Sequence, residues 1–303
     1  MHKLNSTLKL VRWPNLVMTG AGIISIWYFL IYGTHPSNNL EVDFRGIIML
    51  SISIIFIMGA GYIVNDIFDE KIDGINKPSN QIIGVHYSIK QGWRAYFILN
   101  LFGIAMSIFA AILYRKTSLL LFLPIGVMAL FAYSKWLKKR APWGNLLISV
   151  LCALVLWMPA FGEWELVSAD NELIYKFFSC SLIAGTCMLM REIVKSQQDF
   201  KGDMLYHART LPVILGMSKV HQLMGVLNFL AIAILVAIIY YFSISALLTL
   251  LVLFTMVFPL IAMQLVSIFK PNALPYTLQS KILKIIMASG MIILPWALSN
   301  FRS

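Results

Sequence analysis

The chain has 303 residues, of which 59% are hydrophobic and only 12% charged, and its formal net charge is +11. So little charge in so long a chain excludes an ordinary soluble domain and points to an all-α integral membrane protein. The positive excess follows the apolar segments along the chain, so topology accounts for it and no nucleic-acid partner is expected.

Nine apolar runs approach the length of a bilayer-spanning helix, at roughly 14–32, 46–64, 95–113, 118–134, 144–161, 173–190, 222–241, 245–267 and 282–300. The first lacks a small-residue cleavage site and reads as a retained helix, not a signal peptide. The N-terminus and the connections after the second, fourth, sixth and eighth runs hold 19 of the 24 Lys and Arg. The other side holds Arg45, Arg115, Lys116, Lys176 and Arg302. By the positive-inside rule the first group is cytoplasmic. Cys152, Cys180 and Cys187 lie inside apolar runs without paired spacing and read as small packing residues.

In chain order, Arg12-Trp13-Pro14-Asn15 stands at the mouth of the first run. Arg12 and Trp13 suit interface anchoring, whereas Asn15, one turn inside, is expected to face a cavity or a partner. The second run ends in Gly59-Ala60-Gly61 and continues into Asn65-Asp-Ile-Phe-Asp-Glu-Lys-Ile-Asp73. On a helix, Asn65, Asp69 and Asp73 share one face, and oxygen donors stacked this way repel unless a cation sits among them. A hard divalent ion such as Mg²⁺ suits such donors. The bland alternative is a solvated helix end. The loop from Gly74 to Asn80 must break the helix, and it carries Lys77 where the loop can fold over the acids.

The third and fourth runs form a hairpin. The fourth ends in Tyr133-Ser-Lys135-Trp-Leu-Lys138-Lys139-Arg140, a cationic cluster suited either to lipid headgroups or to a bound polyanion. Pro142 and Gly144-Asn145 open the fifth run. The sixth leads into a second polar stretch, Arg191 to Asp203, where Asp199 and Asp203 again stand four apart and Glu192 and Ser196 lie on nearly the same face. Two carboxylate ladders are hard to ascribe to chance in a chain with 13 acidic residues. The last three runs are mostly aliphatic and read as scaffold, or as walls of a greasy chamber.

Two ladders, a divalent ion, nearby cations and an apolar interior suit a diphosphate with a hydrocarbon tail. Metal and Lys/Arg hold the diphosphate and stabilise it as it leaves, and the dry interior shelters the allylic cation until an acceptor captures it. That reaction is prenyl transfer. A cation-coupled transporter is disfavoured because both ladders sit at helix ends and not near the midplane.

At these residues the chain resembles the UbiA superfamily of intramembrane prenyltransferases. Asn65-Asp66-x-x-Asp69-x-x-x-Asp73 matches its first aspartate motif. Arg191 through Asp199-x-x-x-Asp203, followed by Arg209-Thr-Leu-Pro, resembles its second. Tyr133-Ser-Lys-x-Leu-Lys, Gly144-Asn145 and Arg12-x-Pro-Asn15 are similar too. The resemblance implies one domain over residues 1–303, a nine-helix bundle open sideways to lipid, and a polar site on the cytoplasmic face of the inner membrane.

It also implies Mg²⁺ held by Asn65, Asp69, Asp199 and Asp203, with Asp66 and Asp73 in support. The expected catalytic residues are Asp69, Asp73, Asp199 and Asp203. The expected substrate-binding residues are Arg12, Asn15, Lys77, Tyr133, Lys135, Lys138, Arg191 and Lys195, with Lys135, Lys138 and Arg191 on the diphosphate. The substrates implied are an isoprenoid diphosphate and a lipid or aromatic acceptor, and no protein partner is implied.

The wording of the second motif looks most like the digeranylgeranylglyceryl phosphate synthase branch, which prenylates a glycerol-phosphate lipid. An aromatic quinone or haem precursor is the alternative acceptor. Two positions depart from the family pattern: Ser196 stands where Asp is usual, and an Arg is usual near Asn80. Those departures leave room for an isoprenoid-binding relative without catalysis.

Overall fold

The computed structural model describes residues 2–34, 40–76, 78–116, 118–269 and 274–299. Their regular structure is helical, with only isolated bridges at Ile83–Tyr87 and Arg140–Arg209. A short α1 (His2–Leu10) precedes α2 (Trp13–Tyr32), whose last turns widen to π geometry. Next come α3 (Phe44–Phe68), the short α4 (Glu70–Asn76), α5 (Ile89–Tyr114), α6 (Ser118–Lys135) and α7 (Trp143–Val155). Two short helices, α8 (Met158–Gly162) and α9 (Trp164–Ala169), lead to α10 (Asn171–Gln198) and the short α11 (Phe200–Leu205). The chain finishes with α12 (Leu211–Leu215), α13 (Met217–Tyr241), α14 (Ala246–Phe269) and α15 (Tyr276–Ser299).

Each of the nine apolar runs falls on a helix, but the helices are not equal. Among the described residues seven are long and apolar enough to cross a bilayer: α2, α3, α5, α10, α13, α14 and α15. The run at 118–134 falls on α6 and the run at 144–161 on the shorter α7, Trp143–Val155. In the second case the cause is local. Pro159 cannot continue a helix through its missing N–H, so α7 stops at Val155 and the chain restarts in α8 with the proline in its first turn.

Three N-caps fix where the long helices begin. Asp43 accepts from Gly46 N at 3.0 Å to open α3, and Ser88 with Gln91 forms a reciprocal capping box on α5. Asp170 accepts from Glu172 N and Leu173 N at 2.9 and 3.2 Å to open α10. Helices α3 and α10 therefore both start on a capping aspartate and both end in an acidic ladder.

The packing is a ring of six helices. Going round, α2 meets α3, α3 meets α6, α6 meets α7, α7 meets α10, α10 meets α15, and α15 returns to α2. Helix α5 buttresses α3 and α6 from outside, and α13 and α14 buttress α10 and α15. The outer helices keep large apolar side chains exposed, among them Phe97 and Ile112 on α5 and Phe229 and Tyr240 on α13. In lipid such faces carry no penalty. The ring encloses a cavity whose polar end is built by the ladders.

Candidate functional site

Both ladders are made by the same local break. Helix α3 ends at Phe68, and Asp69 takes φ −94° and ψ 0° before α4 resumes. Helix α10 ends at Gln198, and Asp199 takes φ −89° and ψ 4° before α11. Backbone bonds bridge each break and keep the side chains stacked. Asp69 N donates to Asn65 O at 3.0 Å and Asp73 N to Asp69 O at 2.8 Å; Asp199 N donates to Lys195 O at 2.9 Å and Asp203 N to Asp199 O at 3.0 Å.

One side chain fastens the two ladders together. Asn76 Nδ2 donates to Asp199 O at 3.0 Å, and Asn76 Oδ1 accepts from Gly202 N at 2.8 Å. A Cβ at position 202 would sit 2.5 Å from Asn76 Nδ2, so any larger residue there must push the Asn76 side chain off its two bonds. Nothing in the sequence signalled Asn76 beyond a helix end, since its partners lie more than 120 residues away.

Asn65, Asp69, Asp73, Asp199 and Asp203 all line one cavity of about 550 Å³. So do Arg12, Asn15, Tyr133, Lys138, Arg191 and Lys195. Two anticipated residues stand aside from it. Asp66 pairs with Arg12 at 2.7 Å, and the Lys135 ammonium lies 4.6 Å from the Trp136 ring centroid. Lys77 lies outside the described residues.

The acids are not left bare. Asp69, almost fully buried, pairs with Lys138 and accepts from Asn65 Nδ2 at 2.8 Å. Burial disfavours the charged form of Lys138, but Asp69, with Tyr133 and Asp199 adding to it, raises the ammonium above its usual range. Lys138 sits on a 3₁₀ turn, Leu137–Lys139, that rests against Gly144 so closely that a Cβ would meet Leu137 O at 2.5 Å. Arg209 N donates to Lys139 O at 2.9 Å and Ala141 N to Arg209 O at 2.7 Å, tying this turn to the loop after the second ladder. Burial pushes the Asp203 carboxyl up to about 6, and the charge of Asp199 adds to the rise.

The facing wall is cationic. Arg12 adopts left-handed backbone, φ 53°, between α1 and α2. That strained geometry delivers its guanidinium to Asp66 and places it 4.7 Å from the Tyr62 ring centroid. Asn15 Nδ2 donates to Tyr62 OH at 3.1 Å. Glu192 is buried between Lys195, paired at 2.5 Å, and Tyr133 OH, which donates at 3.1 Å. Ser196, at the departure from the family pattern, donates instead to Glu192 O within its own helix at 3.0 Å.

Beyond the polar end the lining turns apolar, with Ile54, Met58, Leu123, Leu156, Met287 and Met291. Ser280 and Lys284 at the head of α15 also line the cavity, where the sequence presents only a connection and the start of the last apolar run. Lys284, the one cation inside the run itself, was the available signal.

Among the described residues, no three or more His, Cys, Asp or Glu side chains come close enough to form a ready-made cation cage. The donors present still fit a magnesium ion, which is commonly held by one or two carboxylates, several waters and substrate phosphates. Asn65 Oδ1 supports that fit: it is buried and has no hydrogen-bond partner among the described residues. Such an orphan acceptor is costly without a donor or cation.

Comparison with known proteins decides the family. The model of the UbiA prenyltransferase family matches residues 16–277. The chain belongs to the UbiA prenyltransferase family. It is 32% identical over 216 residues to a digeranylgeranylglyceryl phosphate synthase from Saccharolobus solfataricus, an alignment covering 71% of each chain. A solved structure concerning digeranylgeranylglyceryl phosphate synthase in membranes covers 99% of this chain and 100% of its own, with TM-score 0.66 and 25% identity. A UbiA homolog from Archaeoglobus fulgidus, solved with GPP and Mg²⁺, shares the fold at TM-score 0.55 and 15% identity over 95% of this chain and 99% of that one. As a UbiA-family protein with seven span-length apolar helices among the described residues, the chain is an integral membrane prenyltransferase.

Proposed function

We propose that the protein transfers a prenyl group from an isoprenoid diphosphate to a hydroxyl of a glycerol-phosphate lipid, with Mg²⁺, at a site facing the cytoplasm. The observation that carries this reading is the convergence of two acidic ladders on one cavity that runs on into an apolar chamber. The curated relatives named as digeranylgeranylglyceryl phosphate synthases support the lipid acceptor. The excess of Lys and Arg on the ladder side supports the orientation. The seven span-length helices among the described residues, taken together with α6 and α7, support nine crossings.

The metal would be held by Asn65, Asp69, Asp199 and Asp203, with Asp73 adjacent. When bound it neutralises the diphosphate and favours its departure as a leaving group. The chain's own groups do the rest. Lys138, which lines the cavity and pairs with Asp69, would grip the diphosphate oxygens. The prenyl tail lies along Ile54, Met58, Leu123 and Leu156, where water is excluded. Tyr62 and Tyr133 bring ring quadrupoles to the cavity wall, which favours a passing carbocation. The C1–O bond to diphosphate breaks, an ether C–O bond forms, and the acceptor hydroxyl's proton passes to the departing diphosphate.

The test is product formation in membranes carrying the protein, supplied with an isoprenoid diphosphate and a glycerol-phosphate lipid. An ether lipid product should appear with Mg²⁺ and fall more than about a hundredfold with chelator or in Asp69→Ala, the scale for losing a metal ligand or its support. Undiminished transfer in both cases would overturn the reading.

A further inference from the structure

We propose that Arg191, Ser280 and Lys284 form a second anion site in the cavity, one that takes the monophosphate of the acceptor lipid directly, without metal. This deepens the transferase reading and rests on it for the acceptor's identity.

The charges around the cavity pair off unevenly. Lys138 is matched by Asp69, Arg12 by Asp66 and Lys195 by Glu192. Among the described residues Arg191 and Lys284 have no carboxylate at ion-pair distance. Both line the same cavity, close enough for Arg191 to act electrostatically on Lys284. Two like charges facing one partly dry space repel each other, and an anion between them removes that repulsion. Arg191 Nε is moreover buried with no hydrogen-bond partner among the described residues. A buried guanidinium donor in that condition is one that a ligand oxygen would satisfy.

Lys284 lies near the head of a span-length helix, yet it lines the cavity. Ser280 precedes it by one turn, on the same face, and adds a hydroxyl to the same wall. The two anion sites also differ in surroundings. Lys138 pairs with Asp69 of the first ladder, whereas Arg191 and Lys284 stand outside every ion pair among the described residues. The ladder side needs a cation before it can hold a phosphate; the Arg191–Lys284 side does not. A neutral acceptor would leave both cations unanswered. A phosphorylated glycerolipid answers them while keeping its hydroxyl a few bonds from the anchored phosphate.

The experiment uses the purified full chain in detergent micelles with EDTA and no prenyl diphosphate. An alkylglycerol phosphate, the matching neutral alkylglycerol and a hydroxybenzoate are titrated separately. The phosphate lipid should bind the native chain, weaken about ten- to a hundredfold in Lys284→Gln and recover in Lys284→Arg. The neutral lipid should not distinguish them. In turnover, Lys284→Gln should raise KM for the phosphorylated acceptor and leave KM for the prenyl diphosphate within about twofold. Ser280→Ala, a smaller change, should weaken the phosphate lipid in the same direction and serves if Lys284→Gln does not fold. Unchanged phosphate-lipid affinity in the variants, an equal loss for the neutral lipid, tighter binding of the hydroxybenzoate, or a parallel rise in KM for the prenyl diphosphate would each overturn the proposal. Charge-dependent phosphate-lipid binding with no transfer to any acceptor would sink the transferase reading and leave the anion site standing.

Discussion

Individual side chains carry the chemistry here through what they lack as much as through what they touch. Asn65 spends its amide nitrogen on Asp69 and leaves Oδ1 buried without a donor. Asp203 is held mostly protonated below about pH 6 by burial. A metal ligand must be ionised, so the sign follows directly: metal affinity is full above the raised value and declines as pH falls through it. Mn²⁺ binding to the diphosphate-free protein should therefore weaken about tenfold from pH 7 to pH 5, and Asp203→Asn should flatten that profile. An unchanged slope in Asp203→Asn would remove Asp203 from the metal site. At this scale the sequence was informative wherever repulsion made a pattern costly: stacked acids at Asn65, Asp69 and Asp73 stand out. It was silent on pairing. Asp66 and Lys135 sit in the same motifs as the cavity residues, yet Asp66 turns to Arg12 and Lys135 to the Trp136 ring. Only the direction of each side chain separates the two groups, and that direction is set by tertiary contacts.

The elements that build the site are a pair of interrupted helices joined by one asparagine. Helices α3 and α10 stop on Asp69 and Asp199 in nearly the same conformation, and α4 and α11 then carry the remaining ladder residues. Asn76 holds α4 to α11 through two backbone bonds. Asn76→Ala removes both and strands the Gly202 N–H, a cost of about 1–3 kcal/mol. Helix content by circular dichroism should be retained, while Mg²⁺-diphosphate affinity falls about tenfold by titration, because the loss sits between the ladders and not within either. Gly202→Ala should behave alike, since its Cβ would occupy the place of the Asn76 amide. Retained affinity in both variants would show the clamp to be irrelevant to the site. Helix positions were legible from apolar run length, and Pro159 explains why α7 is shorter than its run. The clamp was not legible, because a single Asn in a loop looks like any other turn residue until its partner, far along the chain, is brought beside it.

For the whole molecule the decisive feature is a ring of six helices, with α5, α13 and α14 outside, around a chamber that is charged at one end and apolar at the other. Its depth sets which tail fits. Leu156, Met287 and Met291 separate the main chamber from a small neighbouring cavity of about 20 Å³ near Cys180 and Gly290. Met291→Ala should join the two and move chain-length preference toward a longer isoprenoid diphosphate. At about 0.8 kcal/mol per buried carbon, even partial burial of one isoprene unit gives roughly tenfold selectivity in competition assays read by mass spectrometry. Prenyl transfer in this chamber depends on the two ladders acting as one site. Binding of a non-reactive prenyl diphosphate analogue with Mg²⁺, measured for the native chain, Asp69→Ala, Asp199→Ala and the double variant, tests that most directly. One site predicts a single stoichiometric binding event, a large loss in each single variant, and little further loss in the double variant. Two binding events, or losses that simply add, would contradict it.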